Sequence, residues 1–320
     1  MQNPPAVPTL ALAILICFFR NTKLVIDWHN YGYTILSGTK GAAHPLVKIS
    51  RVYEQWLGTF SSHNFTVTDA MARQLKAEPF NIRAPILTLH DRPAGIFQPI
   101  SSQEARQEFL ERLQETEDFA SSIMDGSMKL LVSSTSWTPD EDFSLLLDAL
   151  VAYSTSYSSA ASDLPPLLVL VTGKGPDKEK YISIISSLKS SGKLAGITIR
   201  TPWLSMQDYA TLLASADLGV CLHKSSSGVD LPMKVVDMFG AGLPVVGYSD
   251  YESWPELVRE GDNGMGFDNA QELTELLKMV FGPAGPAALG ILRKGAAREG
   301  SRRWDQEWDG IAGKVLGLCG

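Results

Sequence analysis

Cysteine is scarce in this chain, with three in 320 residues at positions 17, 221 and 319. An odd number at wide spacing excludes a disulfide framework or a thiolate metal site and fits a reducing compartment. Cys221 lies in an apolar strand pattern and reads as a buried free thiol. A basic surplus is missing as well. The net charge of −7 excludes a protein that coats nucleic acid or anionic lipid by bulk charge, while local basic spots remain open. The apolar run Thr9–Phe19 falls short of the ~20 residues that span a bilayer. No basic residue precedes it, so it is also a poor signal peptide. We read it as a buried helix of an α/β domain, with a membrane or signal segment as the other reading. Nucleotide fingerprints are absent too. There is no Gly-Lys-Ser/Thr phosphate loop, and no three-glycine turn with an acid ~20 positions on, which disfavours a nicotinamide dehydrogenase. No repeat of fixed period is visible.

The sequence is 44% apolar, enough to fill cores in about two domains. Its first part alternates helix and strand: helix 8–19, strand 23–28, helix 45–61, strand 64–68, helix 69–77 and a strand near 85–89. Helix 102–115 is charged and reads as exposed. Residues 124–127 read as a join between units. A second series has strands at 129–134, 167–172, 196–200, 217–222 and 243–247. Helices 141–152, 177–190, 205–215, 231–240, 253–259 and 270–281 separate them. Strict alternation implies parallel sheets with right-handed crossovers. Ligands then sit beyond the carboxyl ends of the strands, at a switch point in strand order. The serine-rich stretch 154–163 reads as a mobile loop. Trp304 and Trp308, at i and i+4, give a terminal helix apolar surface for docking. The first unit opens on a helix with no strand before it, so it reads as incomplete.

Residues 225–247 are the most informative stretch. A Ser/Gly loop (Ser226, Ser227, Gly228) feeds a short helix, with Pro232 in its first turn and Leu231, Val235 and Phe239 on one apolar face. Backbone N–H groups at such a helix start face an anion, with roughly half a positive charge behind them. Lys234 near this start, and Lys174 between Gly173 and Gly175 after a buried strand, add charge for phosphate; a solvated lysine and an ordinary turn are the plainer readings. Asp230 and Asp237 suit sugar or ribose hydroxyls, or a helix cap and a surface position. Trp203 suits base stacking or core. Asp27-Trp28-His29-Asn30-Tyr31 ends a strand on its ligand side, and neutral His29 suits binding a hydroxyl or taking its proton. Asn64-Phe65-Thr66 matches a glycosylation sequon inside a predicted strand, and we expect it to be unused.

At this point the chain resembles, throughout its length, the chitobiosyldiphosphodolichol β-mannosyltransferase family. The resemblance rests on Val25–Tyr33 (VIDWHNYGY), Val132–Phe143 (VSSTSWTPDEDF), Val171–Pro176 (VTGKGP), Thr201–Leu204 (TPWL), Ala216–His223 (ADLGVCLH), Ser225–Phe239 (SSSGVDLPMKVVDMF) and Arg303-Trp304-Asp305. It implies a GT-B-like α/β fold: two facing Rossmann-like domains with parallel sheets, the N-terminal one incomplete. Expected domains are 1–125 on the acceptor side, 126–301 binding GDP-sugar, and a helix 302–320 packing back. The implied activity is inverting β-1,4 transfer of mannose from GDP-mannose to GlcNAc2-diphosphodolichol on the cytosolic face of the endoplasmic reticulum membrane, with no metal strictly required. Other lipid-linked oligosaccharide mannosyltransferases are implied partners; nucleic acid is not. Donor binding is expected at Gly173, Lys174, Gly175, Trp203, Ser226, Ser227, Gly228, Asp230, Leu231, Met233, Lys234 and Asp237. Acceptor-side catalysis is expected at His29 with Asp27. Related enzymes carry a basic pair after the first strand of the donor domain; here residues 133–142 contain no Arg or Lys. The family begins upstream of Asn3-Pro4-Pro5-Ala6, so the chain reads as a shortened member. The other expectation is a catalytically impaired GDP-mannose binder acting as an interaction partner.

Overall fold

A computed structural model describes residues 1–138, 140–160 and 162–318. The first unit comprises β1 (Gln2–Asn3), α1 (Thr9–Arg20), β2 (Val25–Trp28), α2 (Gly32–Lys40), α3 (Pro45–Gly58), β3 (His63–Thr66), α4 (Asp69–Lys76) and β4 (Ile86–Thr88). Its sheet runs β1-β2-β3-β4, all parallel. The chain therefore opens on a strand, not a helix. Two residues bounded by Pro4 and Pro5 are too few for a strand pattern, and only pairing with β2 makes them one. That pairing continues past the strand, because the His29 amide donates to the Asn3 carbonyl at 2.9 Å.

A connecting stretch carries α5 (Gln103–Arg112) and α6 (Ala120–Met124). The charged α5 is not simply exposed: Arg106, Phe109 and Leu110 are buried, and Arg106 donates to the Ser215 carbonyl at 2.9 Å. The second unit then follows as β5 (Lys129–Ser134), α7 (Phe143–Tyr157), β6 (Leu167–Thr172), α8 (Lys178–Ser190), β7 (Ile197–Arg200), α9 (Met206–Ser215), β8 (Leu218–Cys221), α10 (Met233–Gly240), β9 (Val245–Tyr248), α11 (Trp254–Leu257), β10 (Gly264–Phe267), α12 (Ala270–Phe281) and α13 (Gly285–Gly300). Its six strands are ordered β10-β9-β8-β5-β6-β7, again parallel. β5 has β6 on one side and β8 on the other, so strand order reverses there. β5, β6, β8 and most of β9 are buried, as expected of strands covered on both faces. The sequence reading misses α2, α6, β10 and α13. β10 reads Gly-Met-Gly-Phe, with two residues of poor strand propensity. The supposed loop from 154 is helical as far as Tyr157, where Ser154 donates to the Ala195 carbonyl.

α14 (Trp304–Trp308) and a π-helical turn (Asp309–Gly313) return to the first unit. There Trp308, Ile311, Ala312 and Val315 cover Val25, Phe65, Leu87 and Leu89. Alternate strand residues explain the two faces: Ile26, Trp28 and Ile86 point the other way, into the core with Leu10, Met71 and Leu75.

α1 departs from expectation. Of its large apolar residues only Leu10 is buried, while Leu12, Leu15, Ile16, Phe18 and Phe19 are exposed. Cys221 is buried and free, its thiol pushed up by burial to about 11. Cys319 lies outside the described residues. Asn64 is buried with its amide on Trp28 and Ser61, which leaves it out of reach of glycosylation.

Candidate active site between the two units

The carboxyl ends of β5, β6 and β7 open onto a cavity of about 420 Å³ beside the reversal of strand order. Ser134, Ser136, Gly173, Lys174, Trp203 and Lys234 line it. Its floor depends on close backbone approach. A Cβ on Gly173 (φ +132°) would lie 1.7 Å from the Thr135 carbonyl oxygen, and one on Gly175 equally close to that of Ser136. Trp137, buried and at φ +51°, holds the same turn with its indole N–H on the Gly173 carbonyl. Trp203 is not core: it is 63% exposed at the rim, with the Lys174 ammonium 4.0 Å above its ring.

α10 starts at Met233, with Pro232 just before it as N-cap. The first-turn amides of Met233 and Lys234 have no carbonyl partner within the helix. Leu231 and Phe239 are core as the spacing implies, so Leu231 offers a ligand only its backbone; the Met233 side chain is exposed. Gly240 lies inside the helix, its Cα face against Pro93 and Phe97, and Gly242 (φ +73°) makes the turn.

Lys234 is not a free cation. Its ammonium is ion-paired with Glu141, which is 3% exposed and also accepts from Thr135 Oγ1 (2.8 Å), the Ser136 amide (2.5 Å) and Ser136 Oγ (2.9 Å). Burial lowers the Lys234 ammonium to about 8, with Asp140 opposing. Contact with the Glu141 carboxylate works in the same direction as Asp140 and keeps the amine charged at neutral pH. Glu141 was invisible as a site residue, because 93 positions separate it from Lys234. Its only sequence signal is the run of three acids Asp140-Glu141-Asp142 after a Ser/Thr-rich strand end.

Asp230 serves the loop. It accepts from Ser225 and Ser227 Oγ, and His223 Nε2 lies 3.1 Å from it. Gly228 (φ +76°) turns the loop, and Val229 is inserted into the first unit's core. Ser226 Oγ accepts from Asn30 Nδ2 at 3.3 Å and lies 3.3 Å from Thr34 Oγ1. The Ser/Gly loop thus touches the segment that follows β2 in the first unit instead of lying open. Asp237 stands half-buried on α10, close enough to Tyr209 at the cavity to influence its hydroxyl. Burial raises its carboxyl to about 7.

On the first unit the expected cluster divides by strand alternation. Trp28 and Tyr31 are core, and Asn30 caps the next turn by accepting from the Tyr31 amide. Asp27 and His29 remain half-exposed at the end of β2, with His29 Nε2 3.0 Å from Asp27 Oδ2. That bond raises the imidazole pKa against the effect of burial. Asp91, which sequence alone could not rank, also feels His29, and burial raises its carboxyl. Buried Glu54 on α3 supports the segment, accepting from the Gly32 amide (2.8 Å) and the Tyr33 amide (3.3 Å).

The units are latched together. Both Glu256 oxygens accept from the first amides of α4, those of Asp69 (2.6 Å) and Ala70 (2.7 Å). Thr68 Oγ1 donates to the Val229 carbonyl, and buried Arg92 pairs with Glu299 and Glu307. Asp69, His90 and Glu256 bring ligand-type atoms within 4.8 Å of one another. These amide bonds and the His90–Glu307 contact at 3.4 Å explain that grouping without a cation.

Comparison with known proteins adds to this geometry. Residues 129–281 match the model of "Glycosyl transferases group 1". The chitobiosyldiphosphodolichol beta-mannosyltransferase of Arthroderma benhamiae is 57% identical over 99% of this chain and 71% of its own length. The protein of the same name from Homo sapiens is 42% identical over 96% and 70%. Among solved structures, Anabaena HepE with UDP superposes with a TM-score of 0.71 at 15% identity, covering 97% of this chain and 76% of that one, a likeness of fold. Two parallel α/β sheets facing a cleft are the GT-B arrangement, and by identity and coverage the chain belongs to the chitobiosyldiphosphodolichol beta-mannosyltransferase family.

Proposed function

We propose that the chain transfers mannose from GDP-mannose to dolichol-linked chitobiose diphosphate, in β-1,4 linkage with inversion. The observation that carries this is the cavity at the strand-order reversal, where Lys174 and Lys234 stand beside the start of α10, while the Asp27–His29 pair lies at the end of β2, next to the Asn30–Ser226 contact between the units. In this reading the GDP diphosphate meets Lys174, Lys234 and the amides of Met233 and Lys234. The guanine lies at Trp203 and the ribose hydroxyls at Asp237. Asp27 orients His29, which takes the proton of the acceptor hydroxyl as its oxygen bonds to the anomeric carbon. The bond from that carbon to the diphosphate breaks, and the new negative charge is met by groups already in place. No metal is needed for that step. The reading places 1–125 on the acceptor side, 126–301 on the donor side, and the reaction at the cytosolic face of the endoplasmic reticulum membrane. Transfer of radiolabelled mannose to a chitobiosyl-diphosphate lipid tests it; no transfer by cooperatively folded chain rejects it.

One prediction concerns pH. A carboxyl raised to about 7 is mostly ionised at pH 8 and mostly protonated at pH 6. Only the ionised form accepts from both ribose hydroxyls, and GDP-mannose itself has no group titrating in this range. Donor affinity should fall about tenfold from pH 8 to pH 6 by calorimetry, and Asp237→Asn should flatten that dependence. The stability linkage has the opposite sense. The unfolded carboxyl ionises near 4, so the folded state holds the extra proton between about 4 and 7 and loses stability as pH rises through that window. Asp237→Asn should remove that loss in thermal scans.

A further inference from the structure

We propose that α1 and α3 form a membrane-docking face that lays the acceptor side of the cleft against an anionic bilayer. The inference deepens the reading above, which requires a lipid-linked acceptor. α3 buries a mixed inner side and carries its apolar stripe on the outside. Val47 is buried with Ser50, Glu54 and Gly58 on the inner side, while Leu46, Ile49, Val52 and Trp56, with Phe60 just beyond, recur at spacings of three and four and are 52–65% exposed. α1 does the same, with Leu12, Leu15, Ile16 and Phe19 exposed opposite buried Leu10. Tyr53 ties the helices side by side, accepting from the Ala11 amide and donating to the Pro8 carbonyl. Both outer stripes turn away from the shared core, so they form one apolar face.

Charge argues for a bilayer over a second copy of the chain. Residues 1–63 hold five Lys/Arg (Arg20, Lys23, Lys40, Lys48, Arg51) and two Asp/Glu, in a protein of net charge −7. Of the two acids, Glu54 is buried and Asp27 is held by His29. All five cations are exposed. An apolar face with Trp and Phe, rimmed by cations and nearly free of acids, suits anionic headgroups. It would face an unfavourable like-charge rim in a symmetric self-contact. No single helix among the described residues is long and apolar enough to cross a membrane, so this contact is interfacial. The face adjoins the site: α2 begins three residues after His29 and packs on α3, where the Arg51 guanidinium stacks 5.3 Å over the Tyr33 ring.

The test is cosedimentation of the whole chain with phosphatidylcholine vesicles containing about 30% phosphatidylinositol, free of any acceptor lipid. The expected result is binding that weakens in 0.5 M NaCl. Lys48→Glu/Arg51→Glu and, separately, Ile49→Ser/Trp56→Ser should each reduce partitioning about tenfold or more, while Ile291→Ser, an exposed apolar position elsewhere, leaves it unchanged. Quenching by brominated lipid should drop in Trp56→Phe, which keeps the apolar contact. Folding of each variant is checked by circular dichroism. Failure of folded chain to bind, equal binding by the α3 variants, or a dimer in sedimentation velocity that Ile49→Ser/Trp56→Ser abolishes would overturn the proposal. Mannose transfer to a short-chain, water-soluble acceptor reads the enzymatic reading separately, so the two can fail independently.

Discussion

Lys234→Ala should lower kcat for mannose transfer about 10²–10³-fold, the loss typical when one preorganised group is removed from a developing anion. Lys174 at the cavity rim leans on Trp203 and is less constrained, so it replaces Lys234 poorly. The substitution has a second effect. It strands Glu141, a carboxylate with a side chain only 2% exposed, opposite an empty position. Breaking a fully buried pair costs ~3–5 kcal/mol. The Lys234 side chain is 28% exposed, so water screens part of that loss and the thermal shift should be smaller. The two effects separate in Glu141→Gln/Lys234→Ala, which should recover stability and remain slow. Glu141→Gln alone releases the ammonium and should tighten GDP-mannose binding in calorimetry. If Lys234→Ala keeps full turnover and affinity, the diphosphate lies elsewhere.

Gly173→Ala should cost ~3 kcal/mol or more and abolish donor binding. The Thr135 amide donates to the Thr172 carbonyl at 2.9 Å, so the β5–β6 ladder continues beyond the strands into the cavity floor. A methyl at Gly173 would stand 1.7 Å from the Thr135 carbonyl oxygen, and φ of +132° is already hostile to any side chain. Two central strand ends must then separate, which moves Ser134 and Ser136 on one side and Lys174 on the other. Gly192 is the control. It also has positive φ, +73°, but a methyl there meets open space. Gly192→Ala should cost only the ~1–2 kcal/mol of a left-handed backbone. Urea unfolding and calorimetric titration of both variants decide the matter. Equal losses would mean that close approach at Gly173 contributes nothing.

Strand and helix alternation was legible because buried parallel strands such as Leu167–Thr172 are continuous apolar runs and need no context. The loop and helix start over 225–234 were legible because glycine, serine and proline cluster where a turn feeds a helix. What the sequence determined by itself, then, was the doubly wound class and the family, since each is written in local periodicity or in a contiguous string.

Tertiary structure decided the rest. β1 exists only through its pairing with β2, and β10 only through β9. Asp230 proved to be held by His223, Ser225 and Ser227, and Leu231 to belong to the core, although both stand in the most specific string. Glu141 reached Lys234 across 93 positions, a pairing that no local pattern encodes. An apolar helix reads as buried from sequence, because periodicity shows which residues share a side but not what covers it. Only the packing of α1 and α3 revealed that each has an apolar stripe left facing outward.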